Sequence, residues 1–149
     1  MPDSTEDPYR DLMLASFANL ANEATIGELG VSLVVGGAWL TGQLIGARAW
    51  FEGLAKSLDE TGADGFADVI RMVGAQVYPS ISEREAAGDV VDDTQLPAFL
   101  HLRDAVILGT SGRPVPSQGG FVRVRVDDVS AWMLGRIAPA GYQPPPPAV

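Results

Sequence analysis

The sequence predicts an α+β fold that is mainly β: a small, bent, five-stranded barrel with an N-terminal helix and a helical insert between the second and third strands. The chain has 149 residues, 46% apolar and 19% charged, which are the size and composition of one packed domain. Apolar and polar residues alternate in several short runs, and two runs are joined by Gly36-Gly37. Between the second and third runs the apolar residues recur at the spacing of a helix.

The first elements are a helix and a hairpin. Asp7-Pro8 is a helix start signal, and apolar residues at helical spacing continue to about Asn22. Residues 31–35 and 38–45 then read as two strands, with Gly36-Gly37 as a two-residue turn. Gly42 lies inside the second strand, where a missing side chain permits a bend or the close approach of another backbone.

The insert spans residues 47–96 and is helical and acidic. A second helix is predicted from the apolar positions between Trp50 and Leu58. A third apolar stripe runs from Phe66 to Val77 and ends before Pro79. Residues 80–96 are polar and predict a mobile linker with one helical turn after Ser82.

The second half of the chain predicts the remaining three strands. They cover residues 99–108, 121–126 and 129–137. A loop over residues 109–120 precedes the middle one, and Asp127-Asp128 forms a tight turn after it. Alternation directs Val122, Val124 and Val126 toward the core.

These elements divide the chain into three regions. Residues 1–6 are predicted to be a disordered arm, and residues 7–137 a single barrel domain that contains the insert. Residues 138–149 are predicted to be a proline-rich disordered tail, because four consecutive prolines cannot pair in a sheet. The acidic N-terminus has no apolar run and therefore no secretion signal, so a cytoplasmic protein is expected.

The net charge of −9 is distributed unevenly. Residues 52–95 carry −7, whereas residues 96–149 carry +2. A negative protein is not attracted to nucleic acid or anionic membranes as a whole, so such a partner would need a local basic patch. Two regions of opposite sign on one chain favour self-association over catalysis.

No catalytic, cofactor or metal site is predicted, and the chain is not expected to be an enzyme. It contains no cysteine, and its one histidine, His101, has no second histidine to join it. Asp127 and Asp128 fit a turn better than a catalytic pair. Gly36-Gly37 connects two strands and does not open a helix, so it is not a phosphate-binding loop.

Strand alternation places aromatic and arginine side chains together on the sheet face opposite the valine core. This predicted interaction surface consists of Trp39, Phe99, His101, Arg103, Phe121, Arg123 and Arg125. Such a face could stack on and neutralise single-stranded RNA. Alternatively, the apolar sides of the second and third helices cover it, or it binds another protein. Covering or self-association is favoured, and nucleic acid is disfavoured as a partner.

The order of elements resembles the Sm-like barrel. In that family an N-terminal helix caps a strongly bent five-stranded barrel, and a valine-arginine element begins the fourth strand. Here the resemblance covers residues 7–46 and 97–137, with Phe121-Val122-Arg123-Val124 as the matching element. It implies an Sm-like barrel, and the alternative function of an Sm-like RNA-binding regulator.

A second resemblance covers nearly the whole chain apart from its ends. The matching segments are residues 30–42, Trp50-Phe51, residues 99–105, residues 112–117 and residues 134–137. Together they resemble the gas vesicle accessory protein U family, most specifically in Phe99-Leu100-His101-Leu102 and Pro114-Val115-Pro116-Ser117. The resemblance implies a cytoplasmic, non-enzymatic accessory protein without a cofactor that self-associates and influences gas vesicle assembly or clustering. Its implied partners are itself and the vesicle shell or other gas vesicle proteins, with no membrane.

Overall fold

A computed structural model describes residues 11–23, 27–79, 81–88, 96–109 and 113–138. The helices are α1 (Leu12–Asn22), α2 (Ala47–Glu60), α3 (Asp64–Val77) and α4 (Ile81–Ala86). The strands are β1 (Leu29–Val35), β2 (Ala38–Ile45), β3 (Phe99–Leu108), β4 (Pro114–Arg125) and β5 (Val129–Leu134). The predicted arm 1–6 and the tail beyond residue 138 lie outside the described residues.

The fold is α+β, built on one antiparallel sheet in the order β4-β3-β2-β1-β5. The N-terminal helix, the five strands and the helical insert between β2 and β3 are confirmed. The predicted closure into a barrel is not found: β4 and β5 lie at opposite edges of the sheet and do not pair in the described part of the chain.

Helix α1 begins later than its start signal suggested. Asp11 is its N-cap, and the Asp11 carboxylate accepts a hydrogen bond from the Leu14 backbone N–H at 3.0 Å. The same carboxylate accepts a 2.6 Å hydrogen bond from the Trp132 indole on β5. These hydrogen bonds to its charged form lower the pKa of Asp11. The predicted first turn at Asp7-Pro8 lies outside the described residues.

The main core lies between α1 and one face of the sheet. Its buried members are Leu14, Ala15, Ala18, Ala21, Val31, Leu33, Leu40, Leu44, Leu100, Leu102, Ala105, Val124 and Val126. Val122 packs against this cluster while remaining half-buried. The alternation predicted from the three valines is therefore confirmed, and burial of these side chains supplies the main driving force for folding.

The hairpin and its turn are as predicted. Val35 pairs with Ala38, and Gly36 and Gly37 have φ values of 58° and 79°, which glycine adopts without strain. The close approach expected at Gly42 is also present, since a Cβ atom there would lie 3.0 Å from the Ala105 Cβ. The β2–β3 register shifts beside it.

A β-bulge interrupts the alternation of β3. Asp104 has φ of 49°, a left-handed conformation that is uncommon outside glycine. The Arg136 side chain donates to the Asp104 carbonyl at 2.6 Å, and the Arg103 side chain donates to the Asp104 carboxylate at 2.7 Å. Because of the extra residue, Ala105 and not Asp104 enters the core.

Three predicted boundaries were wrong. More than half of the predicted loop 109–120 is strand, since β4 begins at Pro114 and pairs with the end of β3. β4 ends at Arg125, one residue before the predicted end of that strand, and the predicted turn at Asp127-Asp128 is a short 3-10 helix over Val126–Asp128. The last strand ends at Leu134, because residues 135–137 leave the sheet edge and hydrogen-bond across its face.

The insert is a helical hairpin with a short third helix. Helix α2 packs on the sheet, and α3 packs on α2 through Ala67 and Gly74, which are both buried. A Cβ atom at Gly74 would lie 2.8 Å from the Phe51 Cβ, so glycine sets the distance between the two helices. Helix α4 falls within the predicted linker, where one helical turn was expected.

We predict that Gly74→Ala lowers the free energy of unfolding by about 1 to 3 kcal/mol, because overpacking against Phe51 outweighs the better helix propensity of alanine. Gly65→Ala is the matched control on the same helix, since no atom lies within 4 Å of its added methyl group. Urea unfolding followed by circular dichroism measures both. A Gly74→Ala variant as stable as Gly65→Ala would show that this contact does not set the helix spacing.

Candidate functional site

The sheet face opposite α1 is covered at one end by α2. Trp50 and Phe51 of α2 are each 7% exposed, and both rings point onto β3. The Trp50 indole N–H donates to the Leu102 carbonyl at 3.1 Å, which satisfies its one polar group. The favoured alternative from the sequence, in which insert helices cover this face, is therefore confirmed for α2.

His101 lies at the centre of an aromatic cluster under α2. Its ring contacts those of Trp50 and Tyr78 edge-on, with centroids 5.3 Å away in each case, and that of Phe51 at 6.0 Å. Phe121 of β4 completes the cluster by contacting Trp50 at 6.2 Å. The cluster joins the sheet to both long helices of the insert, because Tyr78 directly follows α3.

Arg123 of β4 closes the outer side of this cluster. Its Nε–H donates to His101 Nε2 at 3.2 Å, and an Nη–H donates to the Tyr78 hydroxyl at 2.9 Å. Its guanidinium carbon lies 3.6 Å from the centroid of the Phe99 ring, which is a cation–π contact. Arg123 is therefore engaged by three neighbours of its own chain.

These contacts determine the protonation state of His101. The side chain is 1% exposed, and burial, followed by the positive charge of Arg123, lowers its pKa from 6.5 to about 4. Accepting a hydrogen bond at Nε2 places the proton of the neutral ring on Nδ1. A histidine that is neutral, buried and already hydrogen-bonded is structural, because no substrate reaches it.

The other end of the same sheet face is covered by the segment after β5. Ser32 and Thr41 are fully buried there and share a 3.0 Å hydrogen bond between their hydroxyl groups. The Ile137 backbone N–H donates to Thr41 Oγ1 at 3.0 Å, and the Ser32 hydroxyl donates to the Gly135 carbonyl at 2.8 Å. Residues 135–137 are thus held on the sheet by the polar groups that they cover.

The structure brings together four of the seven residues predicted as an interaction surface: Phe99, His101, Phe121 and Arg123. Trp39 lies about 20 Å away along β2, six residues before Ile45, which pairs with His101. Arg103 forms ion pairs with Glu28 and Asp104, and Arg125 is exposed at the position across from Phe99.

Sequence reasoning missed three members of the cluster: Trp50, Phe51 and Tyr78. The sequence placed Trp50 and Phe51 on the apolar face of the second helix. This amphipathic pattern was the signal that could have identified them as members of the cluster. Nothing in the strand pattern indicated which sheet residue this face would cover. Tyr78 follows the helix, where no periodicity applies.

The chemistry available on the described surface is limited. The structure contains no group of three or more His, Asp or Glu side chains placed to hold a metal ion within its described residues. A groove of about 360 Å³ between α2 and α3 is lined by Arg48, Glu52 and Arg71. These charges pair within the chain, Arg48 with Glu83 at 2.6 Å and Arg71 with Glu52 at 3.2 Å.

A comparison with protein families identifies the chain. The model of the gas vesicle protein GvpU-like family matches residues 11–137, which include every helix and strand described above. The chain belongs to the GvpU-like family. No curated protein and no solved structure matches it.

Membership of the GvpU-like family makes this a gas vesicle-related protein and confirms the second resemblance seen in the sequence. The GvpU-like family is not known as enzymatic. Among the described helices, none has the length and apolar character needed to cross a membrane.

This GvpU-like protein exposes an apolar surface on α3. We call it the α3 face and define it as Phe66, Val69, Met72, Val73 and Val77. These side chains are 73%, 50%, 54%, 36% and 55% exposed, respectively. Phe66 and Val77 belong to the apolar stripe that the sequence predicted, but the stripe faces away from α2 and the sheet. Only α2 therefore fulfils the expected covering role.

We predict that His101 makes this protein less stable in mild acid. The unfolded chain takes up a proton at the ordinary pKa of 6.5, whereas the folded chain does so only near 4. The contribution of His101 is therefore complete above pH 6.5 and is lost as the pH falls toward 4, by up to about 3 kcal/mol.

His101→Gln is the matched control, because an amide still accepts a hydrogen bond from Arg123 and does not titrate. The free energy of unfolding of both proteins is measured by urea titration between pH 7.5 and pH 4.5. The difference between them isolates His101 from the carboxylates, including Asp11, whose pKa is also shifted. Parallel pH profiles would contradict the predicted neutral, buried histidine.

Proposed function

We propose that this protein is a non-enzymatic gas vesicle accessory protein that self-associates and influences gas vesicle assembly or clustering. The observation that carries the proposal is the α3 face, an uncharged apolar surface on a helix that the rest of the insert holds in place. Apolar surfaces of this kind on a folded protein mark sites of contact with another macromolecule. Family membership supplies the gas vesicle context.

The non-enzymatic part of the proposal is supported by the use of the polar interior. The buried polar residues His101, Ser32 and Thr41 all hydrogen-bond within the chain. Ser32 and Thr41 attach residues 135–137 to the sheet, and His101 pairs with Arg123 of the neighbouring strand. We assign no cofactor for the same reason.

Self-association by apolar contact fits the structure better than the attraction between acidic insert and arginine face that the charge distribution suggested. Arg103 is paired with Glu28 and Asp104, and Arg71 is paired with Glu52 and Asp59 inside the insert. Arg103 of the predicted arginine face is thus paired with acidic groups outside the insert. The α3 face carries no charge to be matched.

We place the protein in the cytoplasm, in association with gas vesicles, with the shell or another gas vesicle protein as its second partner. A relation to the Sm-like barrel is part of the proposal and is supported by the helix and five strands in the expected order. The RNA-binding alternative gains no support, because it needs exposed aromatic side chains on which RNA bases can stack. His101 is buried and Phe99 is covered by Arg123.

The proposal predicts that the purified full-length protein co-sediments or floats with intact gas vesicles and increases their clustering, seen by light scattering and electron microscopy. Vesicles from cells that lack the protein are the reference, and an unrelated protein of similar size and charge is the control. Absence of enrichment on vesicles, together with unchanged clustering upon deletion of the protein, would refute the function.

A further inference from the structure

We propose that the α3 face is the self-association site, and that its occupant is the α3 face of a second copy packed antiparallel across a two-fold axis. The inference deepens the proposed function, on which it rests, by naming the surface and the partner that make the contact. A two-fold interface uses one patch twice, so the patch must be complementary to itself. The presentation and shape of the α3 face and the positions of the charges on α3 favour this arrangement, and the size of the face makes the contact weak.

The insert presents α3 in a defined orientation. Ala67 and Gly74 face α2, and Arg71 donates to Asp59 at 2.6 Å and to Glu52 at 3.2 Å across the same helix pair. These contacts occupy one side of α3 and leave the opposite side exposed. Since its backbone is already ordered by this packing, the α3 face loses little conformational entropy when it binds.

The shape of the α3 face favours an antiparallel pair. The large Phe66 and the smaller Val77 lie at its two ends, about 16 Å apart along the helix axis. Antiparallel packing centred between them places Phe66 of each copy against Val77 of the other, so that a large side chain meets a small one. A parallel pair would place the two Phe66 rings side by side and leave a gap between the valines.

Charge favours the same orientation. The charged residues of α3 are Asp64, Asp68 and Arg71, and all three lie off the α3 face. In the antiparallel pair the two Asp68 carboxylates lie about 10 Å apart along the axis, beyond the screening length of about 8 Å at physiological salt. A parallel pair would bring them into register and cause them to repel each other.

The size of the α3 face predicts a weak contact. Its five side chains expose on the order of 400 Å² per copy, or about 800 Å² for the pair, which is below the usual range of a stable complex. The net charge of −9 on each copy opposes association further. A contact of this strength becomes effective when many copies are held on one particle, as on a vesicle surface.

Site-specific cross-linking tests the geometry. The chain has no cysteine, so a Val73→Cys variant carries a single thiol near the proposed two-fold axis. We expect oxidation to give a disulfide-linked dimer, because the two Cα atoms would approach within about 7 Å. Ala75→Cys is the control, since this exposed residue lies about 160° around α3 from Val73. Equal cross-linking at both positions, or none at Val73→Cys, would overturn the geometry.

Paired charge variants test the identity of the occupant. Val69→Lys and Val73→Glu should each weaken self-association at least tenfold in sedimentation equilibrium of the full chain. Mixing the two variants should restore it, because position 69 of one copy lies beside position 73 of the other. Restoration requires α3 to meet α3, and its absence would overturn the proposal.

Salt dependence provides an independent measurement. Association through the α3 face should strengthen at least threefold between 0.05 and 0.5 M NaCl, because salt screens the repulsion between negative copies and leaves the apolar contact intact. Weakening with salt would instead support attraction between oppositely charged regions and overturn the assignment.

The outcomes separate this inference from the proposed function. If the full chain associates and clusters vesicles but α3 variants do not change its association, the function stands and the surface is wrong. If Phe66→Ser removes vesicle binding but leaves self-association unchanged, the occupant is the shell and the self-pairing is wrong. If the natural chain neither associates nor binds vesicles, both proposals fail.

Discussion

The burial of β3 on both of its faces is the constraint on which the rest of the structure depends. Leu100 and Leu102 point into the core under α1, while His101 between them points into the aromatic cluster under α2. β3 thus contacts α1 on one face of the sheet and α2 on the other. Because β3 also pairs with β2 and β4, its displacement would break the core, the cluster and two ladders together.

The buried His101, Ser32 and Thr41 and the exposed Arg123 support this arrangement. Arg123 is held by His101, Tyr78 and Phe99, so it links β4 to the end of α3. At the other end of the sheet face, Ser32 and Thr41 hold residues 135–137 in place. Leaving the buried Ser32 or Thr41 hydroxyl group unpaired would cost about 1 to 3 kcal/mol, so these hydrogen bonds favour the observed position of residues 135–137.

The function that we propose follows from what this packing leaves outside. The packing engages four of the candidates for recognition, Phe99, His101, Phe121 and Arg123, in contacts within the chain, and it exposes the apolar stripe of α3. Helices α2 and α3 are both amphipathic, but α3 packs through its small residues Ala67 and Gly74 and keeps its large residues exposed. The exposed apolar side of α3 is the feature on which we base the proposed accessory role at a vesicle surface.

The sequence by itself determined the elements that depend on local periodicity and turn chemistry. The hairpin at Gly36-Gly37, the core-facing Val124 and Val126, and the amphipathic α2 and α3 could all be predicted, because alternation and glycine conformations act over a few residues. Only the tertiary structure decided what these elements contact. The Asp104 bulge, the late start of α1 and the strand from Pro114 depend on partners distant in sequence. Which helix face is buried was decided in the same way, because Gly74 matches Phe51 only when α2 and α3 are side by side.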